Sequence, residues 1–467
     1  MKLIADNLWA RVEDASPEDL AWLRQYLTVP VKGAEHTDAY QNGVWDGSTR
    51  LLDERRQRFG AGLVRMVVGR AREAGVQIEL QDVRREPRVT LNASAGAWLR
   101  SYQTPVLERI LERRRGIVAM PTGSGKSELF AALAQAVPVR WLILVDTKDL
   151  MHQAADRIFL RTGERAGLWG DGEKDPRRVT VATLQALLRG IGEGGEVDEL
   201  LEGAQGLVCD EVQVLAPGES HKVAMATPNA YWRVGLSATP LEREDEDDYR
   251  TIEALGPLIV DVPVKELVDA GVLARIEILM IQFHQHRMTG SWSEVYEAGV
   301  VLNADRNRIA ARIASSPVLC PRPALAFVKA VPHGRAFMGR LEAAGVRTEY
   351  ISGVNSTNAR NGAKIRLNTG RSDVLVVSKI FNKGVDIPFV ESAVNLAAGR
   401  SRIDAIQKPG RLMRIAGEKE LVRYWDFLDV GNRWLEAHAR LRMEAYRSRG
   451  YETRVVREDD LSAMERA

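Results

Sequence analysis

The stretch that decides the fold is Met120-Pro121-Thr122-Gly123-Ser124-Gly125-Lys126-Ser127. The apolar run Gly116-Ile117-Val118-Ala119 before it reads as a buried strand, and the apolar-periodic run 128–136 after it reads as a helix. Strand, glycine-rich turn and Gly-Lys-Ser at the mouth of a helix make a phosphate-binding loop. Gly123 and Gly125 let the backbone fold back, so that the N–H groups of the Thr122–Lys126 turn point at the β- and γ-phosphates of a nucleotide. Lys126 brings a point charge to the same oxygens, and the Ser127 hydroxyl is placed to ligate Mg²⁺. Met120 stands where the usual pattern has glycine, which removes a flexible position but no phosphate ligand.

Outward from the loop, apolar runs alternate with helical patterns. Strands are predicted over 116–120, 141–146, 179–183, 207–210 and 233–237, and a second set over 324–328, 348–351, 374–377, 392–396 and 421–427. Helices are predicted over 334–344, after Arg402, and over 292–315, the last opening the second set. Such alternation belongs to parallel sheets with crossover helices, so the fold class is α/β with two tandem parallel-sheet domains. Residues 1–92 form a separate small α/β unit, with a helix over 17–26, a strand over 27–31 and an amphipathic helix around 59–74. The expected division is 1–92, 93–262, 263–430 and a helical segment with tail over 431–467, with 255–275 as the link between the two sets. At 467 residues, several cores are required.

Hydrophobic residues at 45% and charged residues at 27% fit a globular protein, and no apolar run reaches membrane-spanning length. The charged first residues are unlike a secretory signal, so a cytoplasmic location is expected. A net charge of +2 excludes a passive polycation but leaves room for a basic groove. Two cysteines, Cys209 and Cys320, cannot build a zinc site; Cys209 lies in an apolar strand and reads as a reduced core thiol.

The second half of the phosphate chemistry is Asp210-Glu211-Val212-Gln213 at the end of an apolar strand. Asp210 can hold Mg²⁺, and Glu211 can orient or deprotonate an attacking water. The next strand ends in Ser237-Ala238-Thr239-Pro240, whose hydroxyls can hydrogen-bond the acid pair. In the second set, Asn382-Lys383-Gly384-Val385-Asp386-Ile387-Pro388 follows a strand, and Gln407-Lys408-Pro409-Gly410-Arg411-Leu412-Met413-Arg414 comes later. Arg411 and Arg414 are three apart and would share a helix face. Arginines from a facing domain neutralise charge on a transferred phosphoryl group, an effect on the order of 10³–10⁵ in rate.

Taken in order over 99–414, these motifs resemble the superfamily 2 helicases and translocases, closest to the phage UvsW-type helicases and more distantly to RecG and XPB. The resemblance implies two RecA-like domains, ATP and Mg²⁺ as cofactors, and DNA as partner. Gln103 in Leu99-Arg100-Ser101-Tyr102-Gln103 would then read the adenine edge. Gly384 and Asp386 would join the nucleotide site, and Gln407 would join Arg411 and Arg414 as catalytic groups. Thr147, Thr183, Gln185 and Gly384 would hold the DNA backbone. The pattern departs from the family at Asp146, where proline is usual, and at Gln213, where histidine is usual. Outside the motor, the stretch from Tyr40 to Gly47 with Phe59–Leu63, and Tyr424–Asp429 with His438, Arg442, Tyr446 and Gly450, resemble the terminal segments of the phage group. Trp45 and Phe59 fit a small core as well as a DNA contact.

The implied activity is ATP-dependent unwinding, fork reversal or branch migration in replication, recombination and repair. An RNA remodeller of the same superfamily, or a DNA clamp with weak ATPase activity, fits the same motifs.

Overall fold

The five runs around the phosphate loop are the middle of an eight-stranded sheet. Its spatial order is Glu173–Asp175, Gly167–Gly170, Val179–Thr183, Trp141–Val145, Gly206–Asp210, Trp232–Ser237, Arg115–Ala119 and Leu258–Asp261. All pairs are parallel except the first, an edge hairpin. A second, wholly parallel sheet has the order Thr348–Ile351, Val374–Val377, Ala324–Phe327, Ser392–Asn395, Leu421–Val430, Arg275–His284 and Glu452–Val456. The computed structural model describes residues 1–31, 33–213, 217–242, 246–378 and 387–466. Contacts divide the chain into Met1–Met120 with Gly125–Val262, and Pro121–Ser124 with Pro263–Ala467.

Apart from the edge strand Glu173–Asp175, the strands of each sheet, counted along the chain, lie in the same sequence: third, fourth, second, fifth, sixth, first, seventh. The two tandem sheets therefore share one topology. The central strands are mostly apolar and buried along their whole length, as parallel strands covered on both faces must be. Their carboxyl ends all open at one edge of each sheet, where loops carry functional groups.

The predicted link over 255–275 is built of short regular elements. Gly256-Pro257 ends one helix, Leu258–Asp261 pairs with the phosphate-loop strand, Val264–Asp269 is a helix, and Gly271 leads into the ten-residue strand Arg275–His284. The breakers mark turns between elements, and the change from one unit to the other at Val262 and Pro263 falls within this segment. The predicted helix 292–315 is three pieces: Trp292–Tyr296, a π-helical turn Glu297–Val301, and Ala304–Ser315 capped by the Asn303 side chain. Beyond residue 430, the helix Arg433–Ser448 is followed by Glu452–Val456, which completes the second sheet.

The first 92 residues hold a four-stranded sheet ordered Arg58–Gly60, Trp9–Glu13, Lys2–Ala5, Glu79–Asp82. The helix Pro17–Tyr26 starts at a capping box between Ser16 and Asp19. The helix predicted over 59–74 is strand, 3₁₀ turn Ala61–Leu63, then helix Val64–Ala74. Phe59 is fully buried in the core, and the Trp45 indole donates to the Ser48 carbonyl at 2.8 Å. Both cysteines are buried free thiols, with burial pushing Cys209 up to about 12 and Cys320 up to about 11.

The helix Arg433–Ser448 is anchored by a buried ion pair. Arg442 donates through Nε to Asp426 Oδ2 at 2.8 Å and through its terminal nitrogen to Oδ1 at 3.0 Å; Tyr446 OH donates to Oδ2 at 2.7 Å. Burial pushes the Asp426 carboxyl up, but the Arg442 charge and the donated bonds outweigh it and hold the group below its ordinary range. Because the folded carboxyl titrates below the unfolded one, its stabilisation is full above the ordinary carboxylate range and fades as pH falls through it. Arg442→Met leaves a buried carboxylate without its cation and should cost about 3–5 kcal/mol in urea unfolding at neutral pH. That loss should shrink in acid; equal losses at both pH values would contradict the pairing.

Candidate functional site

The phosphate loop closes onto the helix Lys126–Ala136, whose N-cap, Gly125, is left-handed at φ 79°; Gly123 is left-handed at φ 85°. Lys126 is buried, and its ammonium lies 3.4 Å from Glu211 Oε1. Gln213 Nε2 donates to the other Glu211 oxygen at 2.6 Å, and the Ser237 hydroxyl donates to Gln213 Oε1. Thr239 N–H donates to Ser237 Oγ at 2.8 Å, while Ser237 carbonyl accepts from Met120 N–H, also at 2.8 Å. One chain of contacts thus links the loop lysine, the acid motif and the hydroxyl motif across three adjacent strand ends. Gln213, in the place where the family has histidine, fills the middle of that chain with a donor and an acceptor at once.

Glu211 sits at φ 50°, a strained backbone for a residue with a Cβ, and its N–H donates to Asp210 Oδ1 at 3.1 Å. Burial, together with the Glu211 charge, pushes the Asp210 carboxyl up to about 7, against the pull of Lys126. Ser127 and Asp210 offer a hydroxyl and a carboxylate, the hard oxygen donors that Mg²⁺ takes alongside phosphate oxygens. The crowding of two carboxyls beside one lysine is what a divalent cation would relieve.

Gln103 is buried. Its Nε2 donates to the Gly125 carbonyl at 3.2 Å, and its Oε1 accepts from Arg100 N–H at 2.9 Å, so it braces the loop from behind. A Cβ on Gly125 would stand 2.6 Å from the Gln103 amide nitrogen. Thr147 caps the helix Lys148–Thr162 by accepting from Leu150 N–H. Thr183 ends its strand, with Gly170 leaving room for its hydroxyl, and Gln185 is exposed in the short helix behind it. All three sit at the carboxyl edge of the first sheet.

In the second unit, Gln407 and Arg411 lie on the helix Arg402–Leu412, Gln407 buried. The expected shared helix face does not form, because the helix stops at Leu412. Met413 carbonyl is taken by Ala274 N–H at 2.7 Å, and Arg414 pairs by backbone with Leu273. Buried Lys419 closes the helix by donating to the Leu412 carbonyl at 2.7 Å. Within the unit that contacts assign to Pro121–Ser124, a Cβ on Gly123 would stand 2.7 Å from Arg414 Cγ. Gly384 and Asp386 lie outside the described residues.

One feature of the second unit escaped the sequence reading. A cavity of about 200 Å³ opens at the carboxyl edge, lined in part by Phe327, Lys329, Asn395, Arg400 and Ser401. It sits where the strand order reverses, between Ala324–Phe327 and Ser392–Asn395. Lys329 and Arg400 are exposed, and among the described residues neither has a carboxylate partner. Lys329 follows its strand by two positions, as Thr147 follows the topologically equivalent strand of the first sheet. That repeated offset was the available signal, but it has meaning only once the two sheets are known to share an order.

Ser237→Ala removes the donor to Gln213 and strands a buried acceptor, which should cost about 1–3 kcal/mol. Denaturant unfolding of the variant reads the loss, and Ser237→Thr should recover most of it.

The family described as "Type III restriction enzyme, res subunit" matches residues 97–242, and "Helicase conserved C-terminal domain" matches 321–416. Rad25 of Haloarcula marismortui is 29% identical over 69% of this chain, which spans 52% of that protein. The ATP-dependent DNA helicase uvsW of Enterobacteria phage T4 is 23% identical over 87% of this chain and 86% of its own length. The solved structure of the ATP-dependent Type ISP restriction-modification enzyme LlaBIII bound to DNA superposes with a TM-score of 0.57 at 14% identity, covering 79% of this chain and 32% of that one, a likeness of fold alone. No helix among the described residues is long and apolar enough to cross a membrane. With both family segments falling on the two sheets and the ordered motifs at their carboxyl edges, the chain belongs to the superfamily 2 helicases.

Proposed function

We propose that the chain is an ATP-dependent DNA helicase or translocase. The observation that carries this is the contact chain Lys126–Glu211–Gln213–Ser237 on one of two sheets of identical order. A phosphoryl transfer engine needs positioning and charge neutralisation, and this chain supplies both. The DNA half rests on the relatives, whose names include DNA helicases.

In this proposal the Thr122–Gly125 turn and Lys126 cradle the phosphates, Gln103 braces the loop beside the base, and Glu211 orients the attacking water. Mg²⁺, held by Ser127 and Asp210, would neutralise phosphate charge. Glu211 is occupied by Lys126 and Gln213, so the phosphates must draw Lys126 away before the carboxylate can take up the water. Arg411 and Arg414 stabilise the leaving charge, with Gln407 beside them; Arg414 already packs against Gly123 of the loop. Gly384 and Asp386 are assigned to the same step by motif alone. Thr147, Thr183 and Gln185 hold the strand backbone without reading sequence. The Lys329–Arg400 cavity seats a further phosphate of the same strand. The working place is the cytoplasm, that of the host if the chain is phage-encoded, and branched DNA of recombination and repair is the substrate.

ATPase rates measured with single-stranded DNA, duplex, a four-way junction and RNA test the assignment; stimulation by RNA alone would overturn it. Lys126→Ala should abolish hydrolysis with DNA affinity retained, and Arg414→Ala should spare nucleotide binding while turnover collapses. Lys329→Ala and Arg400→Ala should each lower the slope of log K against log salt by about 0.7–0.9. An unchanged slope would remove the cavity from the DNA path.

A further inference from the structure

Glu253 is a buried carboxylate that the proposed chemistry does not use, and it ties two other segments to its own helix. It belongs to the helix Glu246–Leu255, which follows the Ser237-Ala238-Thr239 motif. Its Oε1 accepts from Gly60 N–H at 3.2 Å, and its Oε2 accepts from His221 Nε2 at 2.9 Å. Gly60 ends a strand of the N-terminal sheet, and His221 lies on the helix Pro217–Met225, the next element after the acid motif.

The packing at this junction tolerates no side chain on the N-terminal side. A Cβ on Gly60 would stand 2.0 Å from Glu253 Cγ, and one on Gly62 would stand 2.0 Å from the Ile252 carbonyl oxygen. The two helices are also tied to each other. Fully buried Arg233 donates to the Ala224 carbonyl at 2.9 Å, to the Thr227 carbonyl at 2.6 Å and to the Ala254 carbonyl at 3.3 Å. A second fastening holds the N-terminal sheet: Asn7 Nδ2 donates to the Pro228 carbonyl at 3.1 Å, and the Arg115 guanidinium donates to the Asn7 carbonyl. The N-terminal sheet and the helix pair are thus one packed body.

We infer that Glu253 is a positioning residue that couples the N-terminal sheet to the ATPase motifs. Load placed on residues 1–92 by bound DNA reaches the helices that follow Asp210–Gln213 and Ser237–Thr239, and through them sets how Glu211 is held. The inference rests on the DNA-dependent ATPase reading above and adds its regulation. A buried carboxylate with two donors fits this use because its hydrogen bonds are directional and break together when the segments shift.

The test is steady-state ATP hydrolysis with and without a 40-base-pair duplex, alongside duplex affinity and circular dichroism of each full-length variant. Glu253→Ala should cut the DNA-stimulated kcat about tenfold, within the usual range of coupling between sites, while basal kcat and duplex Kd stay within about twofold. Glu253→Gln keeps an acceptor for Gly60 N–H and should stay within about threefold of the parent in stimulated rate, whereas Glu253→Met, which fills the same space without an acceptor, should lose stimulation as Glu253→Ala does. Gly60→Ala should mimic Glu253→Ala; if it does not fold, His221→Ala decides, with an intermediate loss of stimulation expected. An unchanged ratio of stimulated to basal rate in folded Glu253→Ala overturns the coupling and leaves the motor reading intact. A parent rate indifferent to every nucleic acid overturns both.

Discussion

Two carboxyls and a lysine meet at the carboxyl edge of the first sheet, and the neighbouring strand ends hold them there. Such a cluster is costly in isolation: burial drives Asp210 toward its neutral form, and Glu211 adds like charge beside it. It persists because Lys126 is pinned in the first turn of its helix and because Gln213 and Ser237 spend their hydrogen bonds on holding Glu211 in place. The strain visible in the Glu211 backbone, at φ 50°, is stored at the residue that Lys126 and Gln213 both contact.

The rigidity behind the cluster comes from parallel strands. A strand buried on both faces can satisfy its backbone only through its neighbours, so Arg115–Ala119, Gly206–Asp210 and Trp232–Ser237 are locked in register with one another. Register brings the ends of separate sequence segments within hydrogen-bonding distance. The same strand order in the second sheet offers the same slots, and they are filled by different chemistry: no phosphate loop follows Arg275–His284, while Lys329 stands where Thr147 stands in the first. The frame is shared, and the side chains at the strand ends differ.

Buried charge is used twice for different ends. In the second unit, Asp426 with Arg442 and Asp429 with Arg306 fasten helices to one strand, each carboxylate matched by a guanidinium. In the first unit, Arg233 has carbonyl and hydroxyl oxygens around it and holds helix ends together without a carboxylate among its hydrogen-bond partners. Glu253 is the exception in lying at the border of the N-terminal sheet, where its bonds are set by the position of a neighbour.

Local sequence was sufficient wherever one short segment carries its own instructions. Gly123, Gly125 and Lys126 demand a turn and a helix mouth, and short apolar runs bounded by turn residues and alternating with helical patterns fit covered strands, so the phosphate loop, the acid motif and the paired α/β sets were legible. The sheet of residues 1–92 was harder to read: its strands are short, half-exposed and interrupted, and Phe59 gives no sign by itself of being strand rather than helix. Arg414 looked helical because its spacing from Arg411 is helical, but the pairing with Leu273, more than a hundred residues away, ends the helix first. The Lys329–Arg400 cavity and the Glu253 junction depend on which strands are neighbours and on where two glycines leave room. Those are distances between segments remote in the chain, which spacing along the sequence does not encode and packing alone decides.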